Sequence, residues 1–338
     1  MRKLVVGALL CATAMSLTAQ TKTLTAKSRV STSVSAGGSF ALPTDCDEQG
    51  RLFVKLVKLG TAMEGPLLRL SAKGVLEAKF DTSNELVNIY GVRPNGGAVM
   101  VHLDGGAKVV DNFGPDGKHE SSVRLERPPT PFFPYQIAVF HSGEILLAGV
   151  QYHPGNKAST AIYDSTGHLV KQFELDGDAE IERAVEAGDA RYTRSPGGGN
   201  EAISRSVAIT GDDGLVYLMR VTSPAAVYVI SAAGEVIRKI VVSAPADKGL
   251  PDFWIRVAKS KLAVKFRNRC SSALDLRSCE GTAYTVVDGT TGERLADYEA
   301  EKDTAGTTAC YDPDADHFFT FGLTSDQDHL EIVETGPK

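Results

Sequence analysis

GDDGLVYLMRVTSPAAVYVISAAGEVIRKIVV, residues 211–242, decides the fold. Two tight turns, GDDG (211–214) and SAAG (231–234), each precede a run rich in Val, Ile, Leu and Tyr. Glycine tolerates positive φ, and Asp and Ser cap their own backbone, so both quartets read as turns. The runs that follow carry the residue types that fit a pleated surface. No helical period interrupts them.

The same pair of turns recurs on both sides. Unit one has DEQG (47–50) before RLFVKLV and SAKG (71–74) before VLEAKFD. Unit two has PNGG (94–97) before AVMVHL, then PDG (115–117). Unit three has HSG (141–143) before EILLAGV and DSTG (164–167) before HLVKQFEL. Unit five turns at KSK (259–261) before LAVKF and at DGTTG (288–292). Unit six turns at DPDA (312–315) before HFFTFGL and ends with HLEIVE. Gly50, Gly97 and Gly143 are 47 and 46 residues apart, and Gly214 lies 47 before Lys261. Four short strands with their turns need roughly 40–50 residues, the size of one propeller blade.

The reading is therefore all-β: a six-bladed β-propeller in one domain, residues 21–338. Seven blades or a two-sheet sandwich are the alternatives, and a sandwich does not explain the recurrence. Unit six lacks a fourth strand. KTLTAKSRVSTSV (22–34) is expected to supply it, so that an N-terminal strand completes the last blade and closes the ring.

Residues 1–20 read as a secretory signal peptide: Arg2 and Lys3, an apolar stretch from Leu4 to Ala14, then small residues. The apolar stretch is too short to span a bilayer. Its removal takes Cys11 and leaves Cys46, Cys270, Cys279 and Cys310. An even number in an exported chain suggests two disulfides, with free buried thiols as the alternative. Of three pairings, the register favours Cys46–Cys310, which would staple blade one to blade six, and Cys270–Cys279, which would pin a blade-five loop. The spacings are not those of a zinc site.

The cadence of turn glycine and apolar strand, as in DEQGRLFV with SAKGVLEAKF, resembles the six-bladed propeller superfamily that includes NHL-repeat proteins and gluconolactonase-like hydrolases. The likeness spans roughly residues 40 to 334. It implies a ligand at the mouth of the central channel, on the face where second-to-third strand loops and inter-blade links gather. The insertion 176–205 falls on that face and brings Arg191, Tyr192 and Arg194. The blade-five loop brings Arg267 and Arg269, which with the insertion would form a cationic rim for a small anionic ligand. First-strand beginnings place Asn88, Gln136, Arg205 and Asp252 along the channel. Long insertions are either functional or disordered, and surface arginines are commonly just solvated.

The net charge of −6 has no basic block, which excludes nucleic acid as an expected partner. No catalytic residue is assigned. GGGN lacks the Lys-Ser/Thr of a phosphate loop, no G-x-S-x-G occurs, and the histidines are dispersed. Asp312, Asp314 and Asp316 have a calcium-loop spacing without its Gly and distal Glu, and read as a strand turn. No metal is assigned and no cofactor is required by the sequence. The function expected is a secreted or periplasmic, non-enzymatic binding module with an envelope protein or small anionic ligand as partner. A divalent-metal-dependent hydrolase or lyase of gluconolactonase-like type is the alternative, and an envelope scaffold without a small-molecule site is a third reading.

Overall fold

The paired turns become hairpins. The computed structural model describes residues 21–35, 39–58, 65–82, 89–151, 157–187, 201–245, 248–268, 282–301, 304, 306–326 and 328–338. It opens with β1 (Thr21–Ser35). Then come β2 (Ser39–Cys46), β3 (Leu52–Lys58), β4 (Leu67–Leu70) and β5 (Leu76–Phe80), followed by β6 (Tyr90–Val92), β7 (Ala98–Asp104), β8 (Ala107–Phe113) and β9 (His119–Arg124). Next are β10 (Phe133–Val139), β11 (Ile145–Gln151), β12 (Lys157–Tyr163) and β13 (Leu169–Phe173), with the helices α1 (Asp178–Glu186) and α2 (Glu201–Ser204) behind them. The chain continues through β14 (Val207–Thr210), β15 (Val216–Arg220), β16 (Ala225–Ile230) and β17 (Val236–Val242), and through β18 (Lys248–Ala258), β19 (Lys261–Asn268), β20 (Thr282–Asp288) and β21 (Arg294–Ala300). It ends with β22 (Thr307–Asp312), β23 (His317–Leu323) and β24 (His329–Pro337).

The described residues form an all-β, propeller-like ring. Hydrogen bonding divides it into four four-stranded meanders, β2–β5, β6–β9, β10–β13 and β14–β17, and one eight-stranded sheet in the order β18-β19-β20-β21-β1-β24-β23-β22. Six separate sheets were expected, and five are hydrogen-bonded units. The reason is β1. It runs antiparallel to β24 over Leu24–Ser35, as the 22–34 reading requires. Its first four residues also pair in parallel with Asp297–Ala300 of β21, which joins two meanders through one strand.

Contacts between sheets run through the first strand of each, in the order β2, β22, β18, β14, β10, β6, so these strands surround the centre. Both faces of the second strands are largely buried. Leu52, Val54 and Leu56 of β3 pack against Ala309, Cys310 and Phe321. Phe53, between them in sequence, faces Tyr90, Ala98 and Met100. A sheet sandwiched between two neighbours needs apolar residues at successive positions, which is why the second strands read as unbroken apolar runs.

Turn glycines take left-handed backbone, among them Gly50 (φ 72°), Gly143 (φ 102°) and Gly214 (φ 78°). In unit two the turn residue is Gly96 (φ 83°), not the expected Gly97. Gly97 is small for a different reason: a Cβ there would lie 2.2 Å from the Phe113 carbonyl oxygen of the paired strand. In unit five Lys259 and Ser260 both take positive φ, forming the two-residue hairpin turn expected at 259–261. In unit six Asp316 (φ 60°) occupies the glycine position. Its carboxylate accepts bonds from the Tyr298 hydroxyl (2.6 Å), the Tyr311 hydroxyl (3.0 Å) and Lys22 Nζ (3.0 Å) of β1, which offset that strain.

Cys46 and Cys310 form a disulfide across the seam, with Cα atoms 5.4 Å apart. The pairing Cys270–Cys279 lies outside the described residues. Leu24 of β1 is fully buried beside Trp254, Tyr284, Tyr298, Tyr311 and Phe318. Burial of that one side chain contributes about 1.5–3 kcal/mol to holding the N-terminal strand in place.

Candidate functional site

The antiparallel register sorts the molecule into two ends. At one end lie the beginnings of first strands and the ends of second strands. Three of the sequence-derived residues can be placed there with their side chains. Gln136 is half-buried at a register shift between β10 and β11. Asp252, at 16% side-chain exposure, forms an ion pair with Lys265 of β19 at 3.1 Å. Arg205 is exposed, and its guanidinium lies 4.6 Å from the ring centre of Phe253, the neighbour of Asp252. The structure thus brings Arg205 and the β18 segment together, a cation–π arrangement. Arg267 sits in β19 opposite Thr282. Asn88, Arg191, Tyr192, Arg194 and Arg269 lie outside the described residues.

The insertion is anchored at this same end. Ile181 of α1 and Ala202 and Ile203 of α2 pack on Val150 and Ala158. Asp178 begins α1, and its Oδ2 accepts the Leu175 amide at 3.1 Å. That carboxylate meets Arg220 at the end of β15 through Nε–Oδ1 and Nη2–Oδ2 bonds, both 2.9 Å, with neither side chain exposed. Arg220 Nη1 donates to Ser206 Oγ at 2.8 Å. A buried pair survives desolvation only when its remaining valences are met, and here the bidentate fork and Ser206 meet them.

At the other end, where first strands turn into second strands, the ring is crossed by side chains. Arg256 of β18 donates from Nη1 to the Cys46 carbonyl (2.6 Å) and from Nη2 to the Asp47 carbonyl (2.9 Å). His141, after β10, contacts Glu48, after β2, at 2.7 Å. Beside them is a depression partly open to solvent, lined by Asp45, Cys46, Asp47, Glu48, Val92, Arg93, Pro94, Thr210 and Arg256.

The carboxylates here are unequally supported. Asp47 Oδ1 accepts the amides of Gln49 and Arg51 at 3.0 Å each, and its Oδ2 accepts Arg51 Nε at 2.6 Å. Asp45 has the Cys46 amide on Oδ1 at 2.7 Å, and its nearest cation, Arg256 Nη1, stands 3.9 Å away. Burial pushes the Asp45 carboxyl up to about 6; Arg256 and the Cys46 amide oppose the rise, and Asp47 adds to it. Burial also holds the Tyr90 hydroxyl well above its ordinary range, with Asp45 adding to the effect.

The sequence reading missed this end. Asp45, Asp47 and Glu48 crowd around a seam cysteine at the first turn, which was a visible signal. Their partners Arg256 and His141 are separated from them by whole repeats, and only the ring brings them near. Among the described residues no group of three or more His, Cys, Asp or Glu is placed to hold a metal ion. No described helix is long and apolar enough to cross a membrane.

No protein-family model matches the chain, and no curated protein matches it in sequence. Solved structures share its fold. A protein of unknown function from Dyadobacter fermentans superposes with a TM-score of 0.51 at 10% identity, covering 93% of this chain and 99% of that one. A protein of unknown function from Bacteroides caccae gives 0.48 at 11% identity over 80% and 85%. A gluconolactonase from Xanthomonas campestris gives 0.48 at 12% identity over 92% and 98%. At such identities the likeness concerns the propeller-like fold alone.

Proposed function

We propose that the chain is an exported, non-enzymatic binding module, built as a six-bladed propeller that receives its ligand at the end carrying the insertion. Two pairings support six blades. The eight-stranded sheet divides into β18–β21 and β22–β24 with β1, and only the four-residue parallel match between β1 and β21 joins them. Each part then has four strands, like the other meanders.

The observation that carries the choice of end is the crossing of the turn end by Arg256 and by the His141–Glu48 pair. The opposite mouth, which these contacts do not cross, is the end taken for the ligand. There the anchored insertion, Arg205, Gln136 and Asp252 supply polar groups. In this reading Arg191, Tyr192, Arg194, Arg267, Arg269 and Asn88, which the sequence assigns to that mouth, are taken as part of the ligand set. Several arginines around one mouth suit an anionic ligand, either small or displayed on an envelope protein. Propeller folds host many activities, so the site must decide the function.

Capture from cell-envelope extracts with wild-type protein and with Arg205→Glu tests this reading. Retention of a partner by wild type and its loss in Arg205→Glu are expected. Equal capture by both would remove this mouth as the binding end. A stoichiometric calcium or zinc in the purified protein would favour a metal-dependent hydrolase instead.

A further inference from the structure

Two outer strands of the ring are alike in form, and a further strand lies along one of them. β17 and β21 are each seven residues long, whereas β5, β9 and β13 have five, six and five. Each carries a one-residue bulge at its second position, Ile237 in β17 and Leu295 in β21. Counted from the bulge, Lys239–Val242 of β17 stands where Asp297–Ala300 stands in β21. On β21 that segment is paired in parallel by Thr21–Leu24, and the Leu24 carbonyl also accepts the Glu301 amide at 3.1 Å. On β17 it is the outer edge of its sheet, and among the described residues no backbone bond reaches it from outside that sheet. An open strand edge presents a row of N–H and C=O groups ready to pair.

Charged side chains commonly guard such edges. Those of β17 are turned to neighbouring blades. Arg238 donates from Nε to the Gly289 carbonyl (2.9 Å) and from Nη2 to the Tyr217 hydroxyl (3.1 Å). Lys239 Nζ lies 5.1 Å from the ring centre of Tyr228 and donates to the Asp176 carbonyl at 3.2 Å. What remains at the rim is aliphatic. Val236, Ile237 and Val241 are 43%, 49% and 53% exposed, and among the described residues no other strand has more than one large apolar side chain so exposed.

We infer that the outer edge of β17 docks an extended, uncharged segment of a partner protein, added beside Lys239–Val242 as a fifth strand with an aliphatic side chain against Val241. Only a peptide backbone offers donors and acceptors at the strand repeat, so the edge itself selects the occupant. The chain's own guest on β21 shows the pattern, a short strand whose Leu24 is fully buried. Arg238 and Lys239 are already engaged, so the guest needs no charge to match them. Two rings meeting edge to edge about a two-fold axis would pair antiparallel. The β21 edge takes its guest in parallel, which suits a free segment rather than a second copy.

The test is an NMR titration of the full chain with an acetylated TVTVT peptide amide, following the backbone amides of residues 236–242. TVPVT, whose central proline cannot donate to a ladder, is titrated in parallel. A saturable shift in β17 with TVTVT alone is expected. Val241→Lys should weaken it about tenfold by setting a solvated charge where an aliphatic contact forms. Val241→Thr, which keeps a β-branched side chain, should still bind. No saturable shift overturns the inference, as does an equal response to TVPVT or undiminished binding by Val241→Lys. Sedimentation showing a dimer that Val241→Lys dissolves would put a second copy on this edge, and that also overturns it. Arg205 takes no part in this titration, so failure here leaves the reading of the ligand mouth standing.

Discussion

Arg220 with Asp178 and Arg256 with Asp45 are the same two residue types brought together by the same ring, and they are built for different ends. In the first pair both carboxylate oxygens meet the guanidinium at 2.9 Å and nothing is exposed. In the second the guanidinium serves backbone carbonyls, and the carboxylate is left 3.9 Å away at 20% exposure. A closed pair fixes structure. An open one stores an unfavourable charge at a surface depression, and such sites are where binding groups are found.

The closed pair should be the costlier to break. Asp178→Ala strands a buried guanidinium and is expected to lower stability by about 3–5 kcal/mol, read by urea unfolding. The same variant should expose the 176–205 insertion to limited proteolysis. If its cost fell below about 1 kcal/mol, the anchor would not be what holds the insertion down.

The seam comes next. Removing both Cys46 and Cys310 as serines releases a cross-link between positions 264 apart. A loss of about 2–4 kcal/mol is expected, less than the full chain-entropy figure, because β1 still joins the ends by strand pairing.

The open pair should respond in the opposite sense. The folded-state pKa of Asp45 lies near 6, above that of an unfolded aspartate, so folding favours its protonated form. This favourable contribution is complete at pH values below the unfolded pKa and fades as pH rises through 6. Asp45→Asn should therefore stabilise the protein by about 2 kcal/mol at pH 7.5 and change little at pH 4. Thermal unfolding at both pH values checks this, and destabilisation at pH 7.5 would mean that the carboxylate is compensated after all. The smallest effect belongs to Lys22→Ala. That exposed pair with Asp316 is expected to contribute at most about 1 kcal/mol in the same unfolding assay.

Local chemistry made much of the fold readable. Turn quartets with Gly, Asp and Ser marked the hairpins, and Thr- and Val-rich residues 22–34 marked the strand that completes the ring. The error at Gly96 and Gly97 arose because adjacent glycines served two needs, a left-handed turn and a close backbone approach, which composition does not separate. The parallel match of Thr21–Leu24 to β21 was not legible either, since it depends on how neighbouring blades lie at the seam. The candidate sites were legible only where one strand carries them. The positions of Asp252 and Gln136 at one end follow from register, whereas Arg256 with Asp45 and Arg220 with Asp178 are contacts between different segments of the chain. Neither pair has a sequence spacing that announces it.

The claim beneath all of this is that β1, β24 and the Cys46–Cys310 bond meet at one seam of the ring. Peptide mapping without reduction tests it most directly. The account expects one species in which the Cys46 peptide is joined to the Cys310 peptide. Recovery of Cys46 joined to Cys270 or Cys279 would contradict the register, and with it the hub that Asp45 and Arg256 share.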